Sequence, residues 1–212
     1  MTLYQDESTW PLNADGVWIE VRHLPLATPG PVLFLDRDGV INEDRNYVGD
    51  PAEVALIPGA ADLIGEANNA NVPVAVITNQ SAIDRKMFGW RDFASVIARI
   101  DELLAASGAK LDALSACPFH PDFTPDFSAR HAEWRKPGPR MIQELAIRLN
   151  ADRTRSWMIG DAESDMGAAE AAGLAGGILI GNHRPNASGS STLYAPSLDK
   201  INFKGWLQRC SQ

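Results

Sequence analysis

The sequence contains little cysteine and comparatively little positive charge. Cys117 and Cys210 are the only two cysteines among 212 residues, which excludes a disulfide framework and favours a reducing compartment. There are 19 Lys and Arg residues against 27 Asp and Glu, and the net charge is −8. This balance argues against nucleic acid or an anionic membrane as the main partner. It does not exclude a small cationic pocket.

Long hydrophobic runs are also missing, since none approaches the roughly 18 residues that a membrane-spanning helix needs. The first 24 residues mix acidic with apolar side chains and so do not resemble a signal peptide. We therefore expect a cytoplasmic protein without a membrane partner. With 45% hydrophobic and 22% charged residues, the chain has the composition of a globular domain. A monomer is expected, with a dimer as the alternative.

Short apolar runs alternate with helical periodicity along the chain. Strands are predicted at residues 17–23, 32–35, 72–77, 111–116, 156–159 and 177–180. Helices are predicted through residues 63–67, 93–104, 141–149 and 164–172. This order predicts an α/β fold with a mainly parallel sheet between helices. We expect residues 31–212 to form one domain, residues 1–30 to be an extension that packs on it and covers a sheet edge, and residues 182–192 to be a loop.

Polar strings follow three of these strands, at the sheet edge where open parallel sheets bind ligands. They are Asp36-Arg37-Asp38-Gly39, Thr78-Asn79-Gln80 and Gly160-Asp161. A fourth string, Arg135-Lys136-Pro137, precedes a predicted helix. The fold prediction therefore brings all four strings to one edge of the sheet.

The acidic residues in these strings predict a cation site. Asp36 and Asp38 repel each other unless a cation lies between them, and Mg2+ with oxygen ligands suits this pair, joined by Asp161. A solvated acidic turn is the alternative. Asp165 is a second metal ligand, a partner that orients Lys136, or a cap of a helix N-terminus.

Thr78 and Lys136 predict a site for phosphate. The Thr78 hydroxyl, the backbone amides of Asn79 and Gln80, and the Lys136 ammonium together form an oxyanion cradle if a helix starts at these amides. The alternatives are an ordinary helix cap for Thr78 and a solvated surface lysine for Lys136.

Taken in order, the four strings resemble the signature motifs of the haloacid dehalogenase-like (HAD) phosphatases. The matching stretches are Phe34–Asn42, Thr78–Ser81, Arg135–Gly138 and Ile159–Asp165. The resemblance extends over about residues 31–185. It is closer to the branch of D-glycero-D-manno-heptose 1,7-bisphosphate phosphatases and histidinol phosphatases.

This resemblance implies a Rossmann-like core and a Mg2+-dependent phosphomonoesterase. Asp36 would be the nucleophile that forms an aspartyl-phosphate, and Asp38 the acid and then the base. Mg2+ would be held by the Asp36 carboxylate, the Asp38 backbone carbonyl and Asp161. The contacts implied for the phosphoryl group and the substrate are those of Thr78, Lys136 and Asn79.

The sequence departs from this branch in two loops. Of the four soft ligands of a structural zinc, only Cys117 is present at a matching position, so we expect no zinc and instead apolar packing by Phe119, Phe123, Phe127 and Trp134. The string after the second motif lacks both of the branch's glycines. Arg85 in this string and Arg135 can each reach a second phosphate or a sugar hydroxyl. Surface ion pairs are the alternative for both.

The short intervals between motifs predict that there is no large cap domain, so loops would determine specificity. The first hypothesis is a phosphatase of a small phosphorylated metabolite, foremost a sugar bisphosphate such as D-glycero-D-manno-heptose 1,7-bisphosphate. Histidinol phosphate and the 3′-phosphate of a polynucleotide are alternative substrates, and the negative net charge opposes the latter. The alternative outside enzymes is a silent phosphate-binding scaffold.

Overall fold

A computed structural model describes residues 7–181, 191–202 and 205–206. Its centre is a seven-stranded sheet in the order β1-β4-β3-β2-β5-β6-β7. Within it β1 is antiparallel to β4, and the other pairs are parallel. The strands are β1 Trp18–Val21, β2 Leu33–Leu35, β3 Val74–Asn79, β4 Ala113–Cys117, β5 Trp157–Gly160, β6 Gly176–Ile180 and β7 Thr192–Ala195.

Helices cover both faces of this sheet, which confirms the predicted α/β fold with a mainly parallel sheet. Apolar residues of α1 and α2 pack in one hydrophobic cluster, and those of α4 and α5 in another. None of the helices within the described ranges is long and apolar enough to cross a membrane. The helices are α1 Ala60–Asn69, α2 Trp90–Ala105, α3 Ala129–Trp134, α4 Arg140–Leu149 and α5 Glu163–Ala171.

The register of the central strands determines what meets at the carboxyl edge. Leu35 of β2 pairs with Val76 of β3 and with Ile159 of β5, so these three strands end close together. The next residue, Asp36, donates its backbone N–H to the Ile159 carbonyl at 3.0 Å. All three residues of β2 are buried, as expected for a strand covered on both faces.

The N-terminal strand extends the sheet beyond β4. Trp18 of β1 is fully buried, with its ring centroid 5.6 Å from that of Trp90 and 5.5 Å from that of Phe93 on α2. Its neighbours Val17 and Ile19 are buried as well. The alternation of apolar and polar residues over 17–23 predicts a strand with one buried face, and the burial of Val17 and Ile19 agrees with this. Trp18 on the opposite face departs from the prediction, because helices cover both faces of β1.

Two elements lie outside the predicted pattern. Helix α3 has six residues, too few for its periodicity to be recognised. Strand β7 starts at Thr192, the last residue of the predicted loop, and Leu193 within it is exposed. Residues 182–190 of that loop and Cys210 lie outside the described residues.

Candidate active site

A cavity of about 290 Å³ opens at the carboxyl edge of the sheet. A larger cavity of about 440 Å³ lies beside β6 and β7, but the described residues that line it include no acidic side chain. The smaller cavity therefore holds the chemistry that the sequence predicts. Its lining residues are Asp36, Asp38, Asp44, Asn46, Tyr47, Thr78, Asn79, Gln80, Lys136, Asp161 and Ser164.

Lys136 is the buried cation of this cavity. Its Nζ lies 2.8 Å from Asp36 Oδ1, 2.6 Å from Asp165 Oδ1 and 3.0 Å from the Ile77 carbonyl oxygen. Burial by itself lowers the pKa of Lys136, but the two carboxylates outweigh it and raise the pKa above its usual value. The ammonium therefore stays charged beside Asp36.

Asn79 fixes the backbone that carries Lys136. Its Oδ1 accepts from the Lys136 backbone N–H at 3.0 Å, and its Nδ2 donates to the Lys136 carbonyl at 3.1 Å. Asn79 also lines the cavity, and the substrate contact that the resemblance implies for it stays a prediction.

Two glycines of the motifs make room for acidic side chains. Gly39 has φ +78°, and a Cβ there would overlap the carboxylate of Asp161. At Gly160 a Cβ would overlap the side chain of Asp165. Asp165 is fully buried, and its second oxygen accepts from the Ala162 N–H at 3.0 Å. Both Asp165 oxygens are thus engaged, one of them with Lys136.

Three carboxylates crowd together beside this single lysine. Oxygens of Asp36, Asp161 and Asp165 all lie within 4.8 Å of one another. Burial raises the pKa of Asp36 to about 7, with Lys136 opposing the shift and Asp165 adding to it. Burial and Asp165 raise the pKa of Asp161 to about 6. A divalent cation would relieve this repulsion, and the all-oxygen donor set fits Mg2+.

Asp38 is held by three side chains that sequence reasoning did not include in the site. Arg37 donates from Nε and Nη2 to Oδ1 at 3.0 and 2.8 Å, and from Nη2 to Oδ2 at 2.6 Å. Asn42 Nδ2 donates to Oδ1 at 3.0 Å, and Gln80 Nε2 to Oδ2 at 2.9 Å. Burial raises the pKa of Asp38, but Arg37 and the two amides outweigh it and leave the pKa low.

The Thr78 hydroxyl lies beside these groups. Its oxygen accepts from Gln80 Nε2 at 2.8 Å, so its hydrogen remains available to an acceptor in the cavity. The Gln80 backbone N–H donates to the Cys117 carbonyl at 2.7 Å. The prediction that this amide belongs to an oxyanion cradle is therefore wrong, because β3 continues to Asn79 and no helix begins there.

Arg85 and Arg135, which we call the arginine pair, do not line the cavity but lie close to each other at its side. Arg85 stacks on Phe123, 4.1 Å from the ring centroid, and lies 5.6 Å from the centroid of Tyr47, a cavity residue. Arg135 donates to the Phe119 carbonyl at 3.0 Å. Burial lowers the pKa of Arg135, and so does the nearby charge of Arg85. In the part of the chain that the structure describes, no carboxylate forms an ion pair with Arg85 or Arg135. The alternative prediction of surface ion pairs for these two residues is therefore wrong.

The geometry agrees with the similarities to known proteins. Residues 133–200 match the HAD-hydrolase-like family model. A D-glycero-beta-D-manno-heptose-1,7-bisphosphate 7-phosphatase from Mesorhizobium japonicum is 44% identical over 171 residues, covering 80% of this chain and 79% of the relative. The chain belongs to the HAD-like phosphatases. This confirms the predicted resemblance and identifies the chain as a phosphoric monoester hydrolase.

Solved structures of HAD-like phosphatases have the same fold. One from Mesorhizobium loti superposes with a TM-score of 0.77 at 39% identity, covering 95% of this chain and 94% of that one. A D,D-heptose 1,7-bisphosphate phosphatase from B. bronchiseptica, complexed with magnesium and phosphate, has a TM-score of 0.74 at 30% identity. It covers 84% of this phosphatase and 99% of its own chain. The magnesium in that complex supports the expected cofactor here.

Proposed function

We propose that this phosphatase hydrolyses a sugar bisphosphate such as D-glycero-D-manno-heptose 1,7-bisphosphate. One phosphate would be cleaved at Asp36 and the other bound by the arginine pair. The observation that carries this proposal is the position of two arginines beside the cavity that contains Asp36 and Lys136, with no carboxylate partner for either among the described residues. Relatives at 44% and 37% identity are named as phosphatases of this substrate.

In the proposed reaction, a carboxylate oxygen of Asp36 attacks phosphorus and the bond to the sugar oxygen breaks. Asp38 gives its proton to that oxygen, and the negative charge of the phosphate favours the protonated form of Asp38 that this step needs. Asp38 then takes a proton from water, whose oxygen attacks phosphorus and frees Asp36. Lys136 and the Thr78 hydroxyl stabilise the charge on the phosphoryl oxygens.

We assign the Mg2+ ligands to the carboxylates of Asp36 and Asp161 and the backbone carbonyl of Asp38. When bound, Mg2+ would neutralise negative charge on the transferred phosphoryl group. Asp165 orients Lys136 in this proposal rather than binding the metal, because its oxygens contact Lys136 and the Ala162 N–H.

We also propose that the loop after β4 holds no zinc. Among the described residues, Cys117 belongs to no cluster of three or more cysteine, histidine or carboxylate ligands, whereas a structural zinc needs four ligands. In the sequence, His120 is the potential zinc ligand nearest to Cys117. In the structure its Nε2 lies 3.0 Å from Arg85. Metal analysis of protein expressed without added zinc tests this, and stoichiometric zinc would contradict it.

The same proposal describes a cytoplasmic monomer whose partner is a small phosphorylated metabolite and not nucleic acid. The cavity of about 290 Å³ and the net charge of −8 support this substrate class. Residues 1–30 remain an extension of the domain in this view. Histidinol phosphate is the second candidate substrate, and it would leave the arginine pair without a second phosphate to bind.

The test compares a sugar bisphosphate with the sugar monophosphate that lacks the distal phosphate. Arg85→Gln and Arg135→Gln should each raise KM for the bisphosphate about 10- to 100-fold, because a hydrogen bond to a charged group contributes about 1.5–3 kcal/mol. KM for the monophosphate should hardly change. Arg140→Gln is the control, since Arg140 pairs with Glu133 at 3.2 Å on an exposed surface. Equal effects on both substrates would contradict the bisphosphate assignment.

A further inference from the structure

Arg37 stands between two carboxylates that have different tasks in the proposed reaction. Its backbone N–H donates to Asp36 Oδ1 at 2.7 Å, while its guanidinium binds Asp38 through two nitrogens. The side chain is 1% exposed, and the guanidinium carbon lies 5.6 Å from the centroid of the Phe93 ring. The guanidinium thus packs against Phe93 of α2 and contacts Asp38, a residue of the cavity lining.

The geometry of this contact is specific for an arginine. The fork of Nε and Nη2 meets the planar carboxylate of Asp38 on both oxygens, which fixes its rotation as well as its position. A buried ion pair adds little to stability compared with apolar residues of similar volume. Stability alone therefore explains poorly why this position carries a charged fork under Asp38.

Gln80 approaches the same carboxylate from β3. Its Nε2 lies 2.9 Å from Asp38 Oδ2 and 2.8 Å from the Thr78 hydroxyl oxygen. One amide group therefore joins the proposed acid to the hydroxyl that faces the phosphoryl group. Gln80 itself is 3% exposed, so this contact is shielded from bulk water.

We propose that Arg37 and Gln80 are positioning residues that direct the Asp38 carboxylate at the leaving oxygen of the substrate. They serve the transfer of the proton and not the attack of Asp36 on phosphorus. This inference rests on the acid role proposed above for Asp38.

The test uses two substrates that differ in their need for a proton. The leaving group of an alkyl sugar phosphate is a strongly basic alkoxide, which needs a proton from the acid. The leaving group of p-nitrophenyl phosphate is a stable phenolate, which does not. The value of kcat/KM reports the steps up to the first phosphoryl transfer. Asp38→Asn provides the reference, and it should lower kcat/KM for the sugar phosphate about 10²- to 10⁴-fold but only a few-fold for the aryl phosphate.

Arg37→Lys keeps the charge and removes the fork, and Gln80→Ala removes the amide. Each should lower kcat/KM for the sugar phosphate at least tenfold more than for p-nitrophenyl phosphate. In the double variant with Asp38→Asn, neither change should lower the rate with the sugar phosphate further. Arg99→Lys, in an exposed pair with Glu102 at 3.1 Å, is the control and should change neither value.

Equal losses on both substrates in Arg37→Lys and Gln80→Ala would overturn the inference, because a purely structural role lowers both rates alike. If Arg37→Lys does not fold, as judged by its circular dichroism and melting temperature, Gln80→Ala alone decides. If Asp38→Asn itself lowers kcat/KM equally for the sugar phosphate and for p-nitrophenyl phosphate, both the acid role of Asp38 and this inference are refuted. A wild-type enzyme that does not prefer bisphosphates would refute only the proposed substrate.

Discussion

The cavity at the carboxyl edge of the sheet and the arginine pair are adjacent, but their charged groups have different partners. At the edge, Lys136 lies within 3.0 Å of two carboxylate oxygens and a carbonyl, and Asp38 is held on both of its oxygens. In the arginine pair, Arg85 contacts aromatic rings and a histidine, and Arg135 a carbonyl. Charges held in place by hydrogen-bond and ion-pair partners suit a reaction centre, whereas cations without carboxylate partners among the described residues suit an incoming anion.

The largest expected difference between the two regions is in turnover. Asp36→Asn should lower kcat by about 10⁴-fold or more, because no other described residue occupies the nucleophile's place. Arg85→Gln should leave kcat within a few-fold. Phosphate release at saturating Mg2+ measures both. The control is the melting temperature of Asp36→Asn, which should not fall, since burial already disfavours the charged carboxylate. A variant that retains a tenth of the activity would contradict the assigned nucleophile.

The second contrast is in stability. Lys136→Met leaves Asp36 and Asp165 without their cation, so the free energy of unfolding should fall by about 3–5 kcal/mol. Arg85→Met removes only stacking and polar contacts at the side of the cavity, and its cost should be about 1 kcal/mol or less. Urea denaturation without Mg2+ measures both variants. Similar losses of unfolding free energy in Lys136→Met and Arg85→Met would contradict the proposed difference between the two regions.

The third contrast is in pH dependence. A proton competes with Mg2+ for a carboxylate, and burial raises the pKa of Asp36 to about 7 and that of Asp161 to about 6. Mg2+ affinity should therefore fall by up to about tenfold per pH unit between pH 7 and 6, fall more steeply below pH 6 where both carboxylates take up a proton, and level off above pH 7. Calorimetric titration between pH 5.5 and 8 measures this. An affinity that is constant from pH 5.5 to 7 would contradict the crowded carboxylates.

The smallest expected effect is in the loops that carry the arginine pair. The Asp84 carboxylate accepts from the Thr124 hydroxyl, whose oxygen accepts from the backbone N–H of His120 at 2.7 Å. Asp84→Asn should cost about 1 kcal/mol of stability and raise KM for a bisphosphate a few-fold, because the loop beside Arg85 loosens. Asp126→Asn, at an exposed position of the same loop, is the matched control. Identical KM values for the two variants would contradict this coupling.

Sequence reasoning succeeded where backbone geometry dictates position. Parallel strands end at one edge, so Asp36, Thr78 and Asp161 had to lie near one another once the strands were recognised. The motif strings also located Lys136. These four residues and Asp38 line the observed cavity.

It failed where a side chain or an amide has more than one possible partner. Nothing in the order of residues indicates that Asn79 binds the Lys136 backbone or that the Gln80 N–H completes the sheet. Arg37 and Gln80 stood inside the quoted motifs, but their contacts with Asp38 depend on side-chain directions that periodicity does not determine. The loop contacts of Arg85 depend on tertiary packing for the same reason.

The aromatic contact between Trp18 and Phe93 has a consequence for anyone shortening this enzyme. A version cut before residue 31 would keep every motif, yet it would remove Trp18 from one side of Phe93. Phe93 in turn lies under the guanidinium of Arg37. The shortened enzyme would lose a buried strand of the sheet together with the packing behind Arg37 and the proposed acid Asp38, so the shortest active version should begin upstream of β1.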